Sequence, residues 1–437
     1  MKSNVFKELR TVLGMPTKIF IKTYGCSHNV SDSEVMAGLL KQADFEITEN
    51  EEEANIVLIN SCTVKNKSES HFFQYLEKTK QERKPVVVAG CIPQTMPEKL
   101  AGLPMLGTTQ IRNVVEIVEE ALHENPLAML EHSPHERLNL PKIRTNPVVE
   151  IIPILDGCLN NCSFCLTKKA RGTLFSFAEE DIIKQAKQAI KEGVKEIWLS
   201  SEDNGCYGFD RNSNLAVLVE KIADLEGDFK IRIGMGNPQH FLRYTDDLIH
   251  ILKHEKVYSF IHIPVQSGSN KVLHEMRRGY KVEQWKELVL KLKKAVPRLN
   301  IATDIIVAFP GETKEEFMET IKLVKEVQPD IINISRYSNR PTTSAAERED
   351  QIDGRESKER SRFLTRTFEF FSFENNKRWR DWEGDVVVTE KGKDNSWVAR
   401  NESYKPVILH GDFKLGDKTK VKIMYNTVYD LRGEVID

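Results

Sequence analysis

Three cysteines, Cys158, Cys162 and Cys165, form a C-x3-C-x2-C run directly after the apolar stretch EIIPIL. Three thiolates on one short loop can ligate three irons of a 4Fe–4S cube and leave the fourth iron without a protein ligand. An open iron can chelate a small molecule, whereas a fully ligated cluster only relays electrons. The competing readings are a zinc knuckle or a chance group of buried cysteines. Zinc prefers paired C-x2-C units and a fourth protein ligand, which this loop lacks. Cys26, Cys62 and Cys91 form a second group, each one to three residues beyond an expected strand: TKIFIKT, ANIVLIN and KPVVVAG. In a parallel sheet those ends share one edge, so the three are expected to converge on a second cluster. The alternative is that they are ordinary buried small hydrophobes. The seventh cysteine, Cys206, has no assigned role.

The elements that position these groups follow from periodicity. The first third alternates short β-branched runs with polar-periodic segments, the pattern of a parallel sheet covered on both faces. Residues 17–124 are expected to form a flavodoxin-like α/β domain, and the aperiodic residues 125–148 a linker. Six strand candidates follow, beginning at Val149, Glu196, Lys230, Tyr258, Ile301 and Asp330, with helical stretches between them. Over 149–350 they suit a partial TIM-like (β/α)6 barrel better than a doubly wound sheet, and either places function at the carboxyl ends of the strands. Arg232, His262, Gln266, Ser267 and Asp304 sit at or near such ends and are expected to line a pocket. Residues 351–379 read as a basic connecting helix and 380–437 as a small all-β barrel.

Composition bounds the rest. A chain of 437 residues suggests about three domains. With 40% apolar and 29% charged residues it has ample material for soluble cores. No apolar run approaches the ~20 residues of a membrane span, MKSNVFKELRTVLGMP does not read as a signal peptide, and the closing LRGEVID is not an apolar tail. A cytoplasmic enzyme without membrane attachment is expected, where clustered thiols serve as metal ligands rather than disulfides. A net charge of −2 confines any RNA contact to local patches. Candidates are Lys168, Lys169 and Arg171 beside the cysteine loop, and Arg355, Lys358, Arg360, Arg362, Arg366, Lys377, Arg378 and Arg380 along the basic helix.

With Phe164 before its last cysteine, the loop resembles the radical S-adenosylmethionine superfamily. The words TYGCSHNVSDSE, INSCTVK, VAGCIPQ, GCLNNCSFCLTKKARG, HIPVQSGSNKVLHEMRRGY and TDIIVAFPGET resemble the methylthiotransferases of that superfamily, in the family's order over nearly the whole chain. The closing barrel resembles the RNA-binding TRAM domain. GCSHN and TKKARG are similar to the archaeal and eukaryotic branch, which acts on N6-threonylcarbamoyladenosine at tRNA position 37.

The resemblance implies two 4Fe–4S clusters, one on each cysteine trio. S-adenosylmethionine would bind the open iron of the first and be cleaved to a 5′-deoxyadenosyl radical, and the second would carry the sulfur. The product would bear a methylthio group at C2 of the adenine in the anticodon loop. An electron donor protein and a sulfur donor are implied as partners. Phe164, Ser201, Glu202, Arg232, Gln266 and Asp304 are the expected cofactor contacts, Ser201 and Glu202 because LSSEDNG stands where the superfamily often places a Gly-Gly-Glu-type motif. Ala308 and Thr342 occupy positions that are glycine in the family's GFPGET and RPGT. Other substrates of the same chemistry are isopentenyladenosine or a ribosomal-protein aspartate. A non-catalytic iron–sulfur RNA-binding protein is the alternative of a different class.

Overall fold

The β-branched runs near the amino terminus form a six-stranded parallel sheet. Its strands are β1 (Lys18–Thr23), β2 (Glu46–Thr48), β3 (Ile56–Ser61), β4 (Val86–Gly90), β5 (Met105–Leu106) and β6 (Ala128–Met129), in the order β2-β1-β3-β4-β5-β6. The computed structural model describes residues 16–63, 66–132 and 137–436; all but the last residue of the segment read against a signal peptide lies outside them. Every residue of β3 and β4 is buried, as expected when helices cover both faces. The alternation is explicit. Ile56 and Leu58 pack with Val35, Met36 and Leu40 on one face, while Val57 and Ile59 pack with Phe72 and Leu76 on the other.

The contacts of the chain divide it into two units: Met1–Thr145 with Asp156–Cys158 and Leu166–Phe175, and Asn146–Leu155 with Leu159–Cys165 and Ser176–Asp437. The stretch expected to be a linker contributes β6 to the first unit. The Met105 and Gly107 amides bond Leu127 and Met129 carbonyls across that edge, at 2.9 and 2.8 Å, and these short pairings leave no periodic sequence signal.

Strand β7 (Val149–Pro153) belongs to the second unit, and the short pair β8 (Leu155–Asp156) with β9 (Phe175–Ser176), whose residues are divided between the two units, flanks the cysteine loop in the sequence. Strands β10 (Glu196–Ser200), β11 (Lys230–Ile233), β12 (Phe260–His262), β13 (Asn300–Val307) and β14 (Ile331–Arg336) follow, with helices between them. Neighbours are parallel and keep sequence order, β7-β10-β11 and β12-β13-β14. That order is a partial barrel rather than a doubly wound sheet. The seam between its halves is narrow: an Ile231–Val257 bridge and the Tyr258 amide on the Ile231 carbonyl at 3.0 Å.

Helix Gly354–Asn376, capped by the Asp353 carboxylate on the Arg355 amide, leads to the terminal barrel. Its strands β15 (Glu383–Lys391), β16 (Ser396–Arg400), β17 (Pro406–His410), β18 (Lys418–Asn426) and β19 (Leu431–Val435) close in the order β15-β16-β17-β19-β18 around Trp379, Val386, Val407 and Ile423. The β16–β17 turn docks on the amino ends of β12 and β13. The Ser259 amide bonds the Glu402 carbonyl at 2.9 Å, and the Ser403 hydroxyl donates to the Arg298 carbonyl at 2.8 Å. Tyr404 enters among Trp198, Tyr258 and Phe260, so this turn fills the end of the barrel opposite the strands' carboxyl ends. No helix among the described residues is long and apolar enough to cross a membrane.

Candidate functional site

In the first unit, Cys26 follows β1 and precedes helix Ser27–Gln42, Cys62 follows β3, and Cys91 follows β4. These strands are neighbours in register, Thr23 opposite Asn60 and Ser61 opposite Gly90. The three cysteines therefore share one sheet edge. Two glycines permit the approach. A Cβ on Gly25 (φ +128°) would lie 2.6 Å from the Cys62 Cβ, and one on Gly90 (φ +94°) 2.3 Å from the Asn60 Oδ1. Asn29 ties the edge together: its amide donates to the Ser61 carbonyl at 3.0 Å and its Oδ1 accepts from the Cys26 thiol at 3.3 Å. Cys26 is exposed, Cys62 and Cys91 are buried, and none of the seven cysteines forms a disulfide.

Beneath that edge lies a buried ionic network, all within the first unit. Arg137 donates to Asp32, to Asp156 (Nε–Oδ2 3.0 Å) and to the Thr108 carbonyl (3.0 Å), and Arg171 donates to Asp32 Oδ2 at 2.8 Å. His28 stands 3.2 Å from Asp156. Burial alone would raise the Asp32 carboxyl, but the Arg137 and Arg171 guanidiniums hold it below its ordinary value. This corrects the expectation for Arg171. It is 2% exposed and neutralises a carboxylate, so it does not meet phosphate; Lys169 remains exposed.

Cys158 is grouped with the first unit and Cys162 and Cys165 with the second. Within the second unit the loop is pinned at several atoms. The Ser163 amide bonds the Met276 carbonyl (3.1 Å), its hydroxyl the Glu275 carbonyl (2.8 Å), and its carbonyl accepts from the Ala345 amide (2.9 Å). Asn160 donates to Asp203 Oδ2 at 2.8 Å and accepts from Gln239, while His240 Nδ1 sits 2.9 Å from the same Asp203 oxygen. Phe164 packs edge-on against Phe309, among Val272, Met276 and Ala345, and so serves to seat the loop. Arg278 donates to the Cys162 Sγ at 3.1 Å.

Of the expected pocket residues, three come together where β12 ends beside the middle of β13. His262 Nε2 lies 2.9 Å from Asp304 Oδ1, which also accepts from Asn333 at 2.8 Å, and the Gln266 amide bonds the Asp304 carbonyl at 2.8 Å. Gln266 adopts φ +73°, and its Oε1 is buried with no hydrogen-bond partner among the described residues. Ser267 lies 3.4 Å from the Thr320 hydroxyl. The Ser201 hydroxyl accepts from the Asp203 amide, and Glu202 is partly exposed beside it. Arg232 faces elsewhere: its guanidinium lies 5.0–5.4 Å from the rings of Trp198, Phe260 and Tyr404. On the basic helix, Arg360 is buried against Glu312 at 2.8 Å and Arg378 pairs with the buried Asp330 at 2.7 Å. Arg360 therefore serves an internal carboxylate rather than a phosphate, whereas Arg378, though paired, is exposed, as are Arg362 and Arg366.

The donor chemistry suits iron–sulfur clusters: two sets of three thiol side chains, with solvent access at Cys26 and Cys165 and partial access at Cys158 and Cys162. The buried, unsatisfied Gln266 Oε1 at the strand ends suits a polar ligand there. Sequence reasoning passed over Asn160, Asp203, His240 and Arg278. Arg278 lies in the quoted HEMRRGY word, but only the fold brings it to a cysteine.

Comparisons with known proteins agree with this arrangement. Residues 18–107 match Uncharacterized protein family UPF0004, 152–324 the Radical SAM superfamily, and 383–436 the TRAM domain. The chain is 42% identical over 432 residues to a threonylcarbamoyladenosine tRNA methylthiotransferase of Homo sapiens, covering 96% of this chain and 74% of that protein. It is 41% identical over 430 residues to a Pyrococcus horikoshii protein named "Probable threonylcarbamoyladenosine tRNA methylthiotransferase", covering 96% and 99%. Among solved structures, a radical S-adenosylmethionine methyltransferase, TsrM, from Kitasatospora setae superposes with a TM-score of 0.55 at 11% identity over 76% of this chain and 77% of that one, a likeness of fold.

Proposed function

The chain belongs to the threonylcarbamoyladenosine tRNA methylthiotransferase family, and from that premise we propose that its two cysteine trios each hold a 4Fe–4S cluster. It is a radical S-adenosylmethionine enzyme that adds a methylthio group to threonylcarbamoyladenosine in tRNA. When bound, the clusters and S-adenosylmethionine supply one-electron reductive cleavage and a sulfur source, which an unactivated aromatic C–H requires because it offers neither leaving group nor acidic proton. The protein's own residues bind, orient and exclude water.

Cys158, Cys162 and Cys165 would hold the cluster that binds and cleaves S-adenosylmethionine. Gln266, Asp304, Ser201 and Glu202 face that ligand, with His262 and Asn333 fixing the Asp304 carboxylate. Cys26, Cys62 and Cys91 hold the second cluster. The observation that carries this assignment is their placement at one edge of three adjacent parallel strands. The modified position is C2 of the adenine at tRNA position 37. An anticodon-loop base can leave its stack at a cost of a few kcal/mol, and the terminal barrel with the exposed arginines of its leading helix grips the surrounding phosphates. An electron donor protein and a sulfur donor complete the reaction.

Iron and sulfide quantification of anaerobic protein tests the clusters. Wild type should hold two cubes, and alanine replacement of either trio should leave one. Zinc in place of iron, or a single cube in wild type, overturns the assignment. Mass spectrometry of nucleosides from incubated tRNA should show the 2-methylthio product, and a product on another adenosine overturns the substrate.

A further inference from the structure

Arg278 occupies an unusual electrostatic position. Helix Asn270–Glu275 ends in a left-handed turn at Arg277 (φ +57°), closed by the Arg278 amide on the Leu273 carbonyl at 2.9 Å. That turn delivers the Arg278 guanidinium to the Cys162 Sγ at 3.1 Å. Its Nε donates to the Tyr280 hydroxyl at 3.2 Å, and that hydroxyl donates to the Val265 carbonyl at 2.7 Å, just past β12. The guanidinium also lies 5.3 Å from the Tyr280 ring centroid. It is thus held in place before any ligand arrives, so little further side-chain entropy is lost on contact.

Two features separate this contact from ordinary loop anchoring. The loop is already pinned through both backbone atoms and the hydroxyl of Ser163 and through Asn160. Moreover, the side-chain partners of Arg278 among the described residues are the Tyr280 hydroxyl and the Cys162 Sγ, not a carboxylate. A guanidinium cannot shed its proton to relieve the charge. Its natural counter-charge is therefore the thiolate and the anionic cluster that Cys162 would ligate. A hydrogen bond and a positive charge at a cluster sulfur both favour the reduced, more negative state, and such contacts set cluster potentials.

We propose that Arg278 is a positioning residue of the radical-generating cluster, acting through Cys162 Sγ to raise the cluster's reduction potential. The inference rests on the reading of Cys158, Cys162 and Cys165 as that cluster's ligands. The test is a redox titration of full-length, anaerobically reconstituted protein followed by electron paramagnetic resonance. The signal that changes on adding S-adenosylmethionine identifies the cluster.

Arg278→Gln should keep the wild-type iron content and lower the midpoint potential, and Arg278→Lys, which keeps the charge but not the oriented fork, should fall between. An unmoved midpoint in Arg278→Gln overturns the inference. Should the glutamine variant fail to fold, Arg278→Lys and Tyr280→Phe decide it, and wild-type potentials in both overturn it. Absence of iron from this loop in the wild type is a different result and overturns the cluster reading itself.

Discussion

Asp32 gives the most demanding test of the physical picture. Two arginines and two aspartates balance in the first unit, each nearly inaccessible to water. Asp32→Asn keeps the shape but puts an amide N–H against one guanidinium and leaves an excess positive charge. Losing two charge-assisted bonds at about 1.5–3 kcal/mol each agrees with the roughly 3–5 kcal/mol for breaking a buried pair. For a unit of this size that is about 2–4 °C of Tm per kcal/mol. Urea and thermal unfolding of the metal-free protein measure it. Because Asp32 is held below its ordinary value, its stabilisation is present above the unfolded carboxyl's pKa and is lost as pH falls through the folded one. The gap between wild type and variant should therefore be full above about pH 5 and narrow below about pH 4. Adding Arg171→Gln restores charge balance, so the double variant should be more stable than additivity allows, by about 1–3 kcal/mol. A cost under about 1 kcal/mol, or additivity within about 0.5 kcal/mol, refutes the reasoning.

Tyr404→Ala should destabilise the second unit by about 3–5 kcal/mol in urea unfolding, because its ring packs on Trp198, Tyr258 and Phe260 and lies 4.5 Å from the Arg400 guanidinium. Thr342 and Ala308 keep left-handed φ values of +69° and +59°. Glycine at exposed Thr342 relieves about 1–2 kcal/mol of steric cost, offset by about 0.4–1 kcal/mol of chain entropy, and should raise the unfolding midpoint. At buried Ala308 the lost methyl costs a further ~0.8 kcal/mol, so Ala308→Gly should be near neutral in the same assay. Arg362→Ala and Arg366→Ala should each weaken tRNA binding and reduce the slope of log affinity against log salt by about 1 in a filter-binding titration.

What was legible in the sequence was local. The cysteine trios, the β-branched runs and the six barrel strands declare themselves because strand period and ligand spacing are properties of a few neighbouring residues. The convergence of Cys26, Cys62 and Cys91 was legible by one further step, since parallel strands place their carboxyl ends on one edge. Strand β6 was not, because two residues of edge pairing carry no period. Arg171 and Arg360 were misread for a deeper reason. A basic residue beside a loop or on a helix looks the same whether it faces solvent or a buried carboxylate, and its partner stands far along the chain, 139 residues away for Arg171 and 48 for Arg360.

The same limit explains why Arg278 escaped notice while Cys162 did not. A ligand is recognised by its spacing to other ligands, but a group that tunes a ligand is recognised only by where the fold puts it. Arg278 is 116 residues from Cys162, carried there by a left-handed turn and a tyrosine anchored past β12. Where a cationic side chain lacks a carboxylate partner and is aimed at a sulfur, its charge is a better guide to function than its sequence neighbourhood. The ion-paired Arg171 and Arg360 show the contrast: a guanidinium whose charge is already matched inside the protein has none left for a ligand.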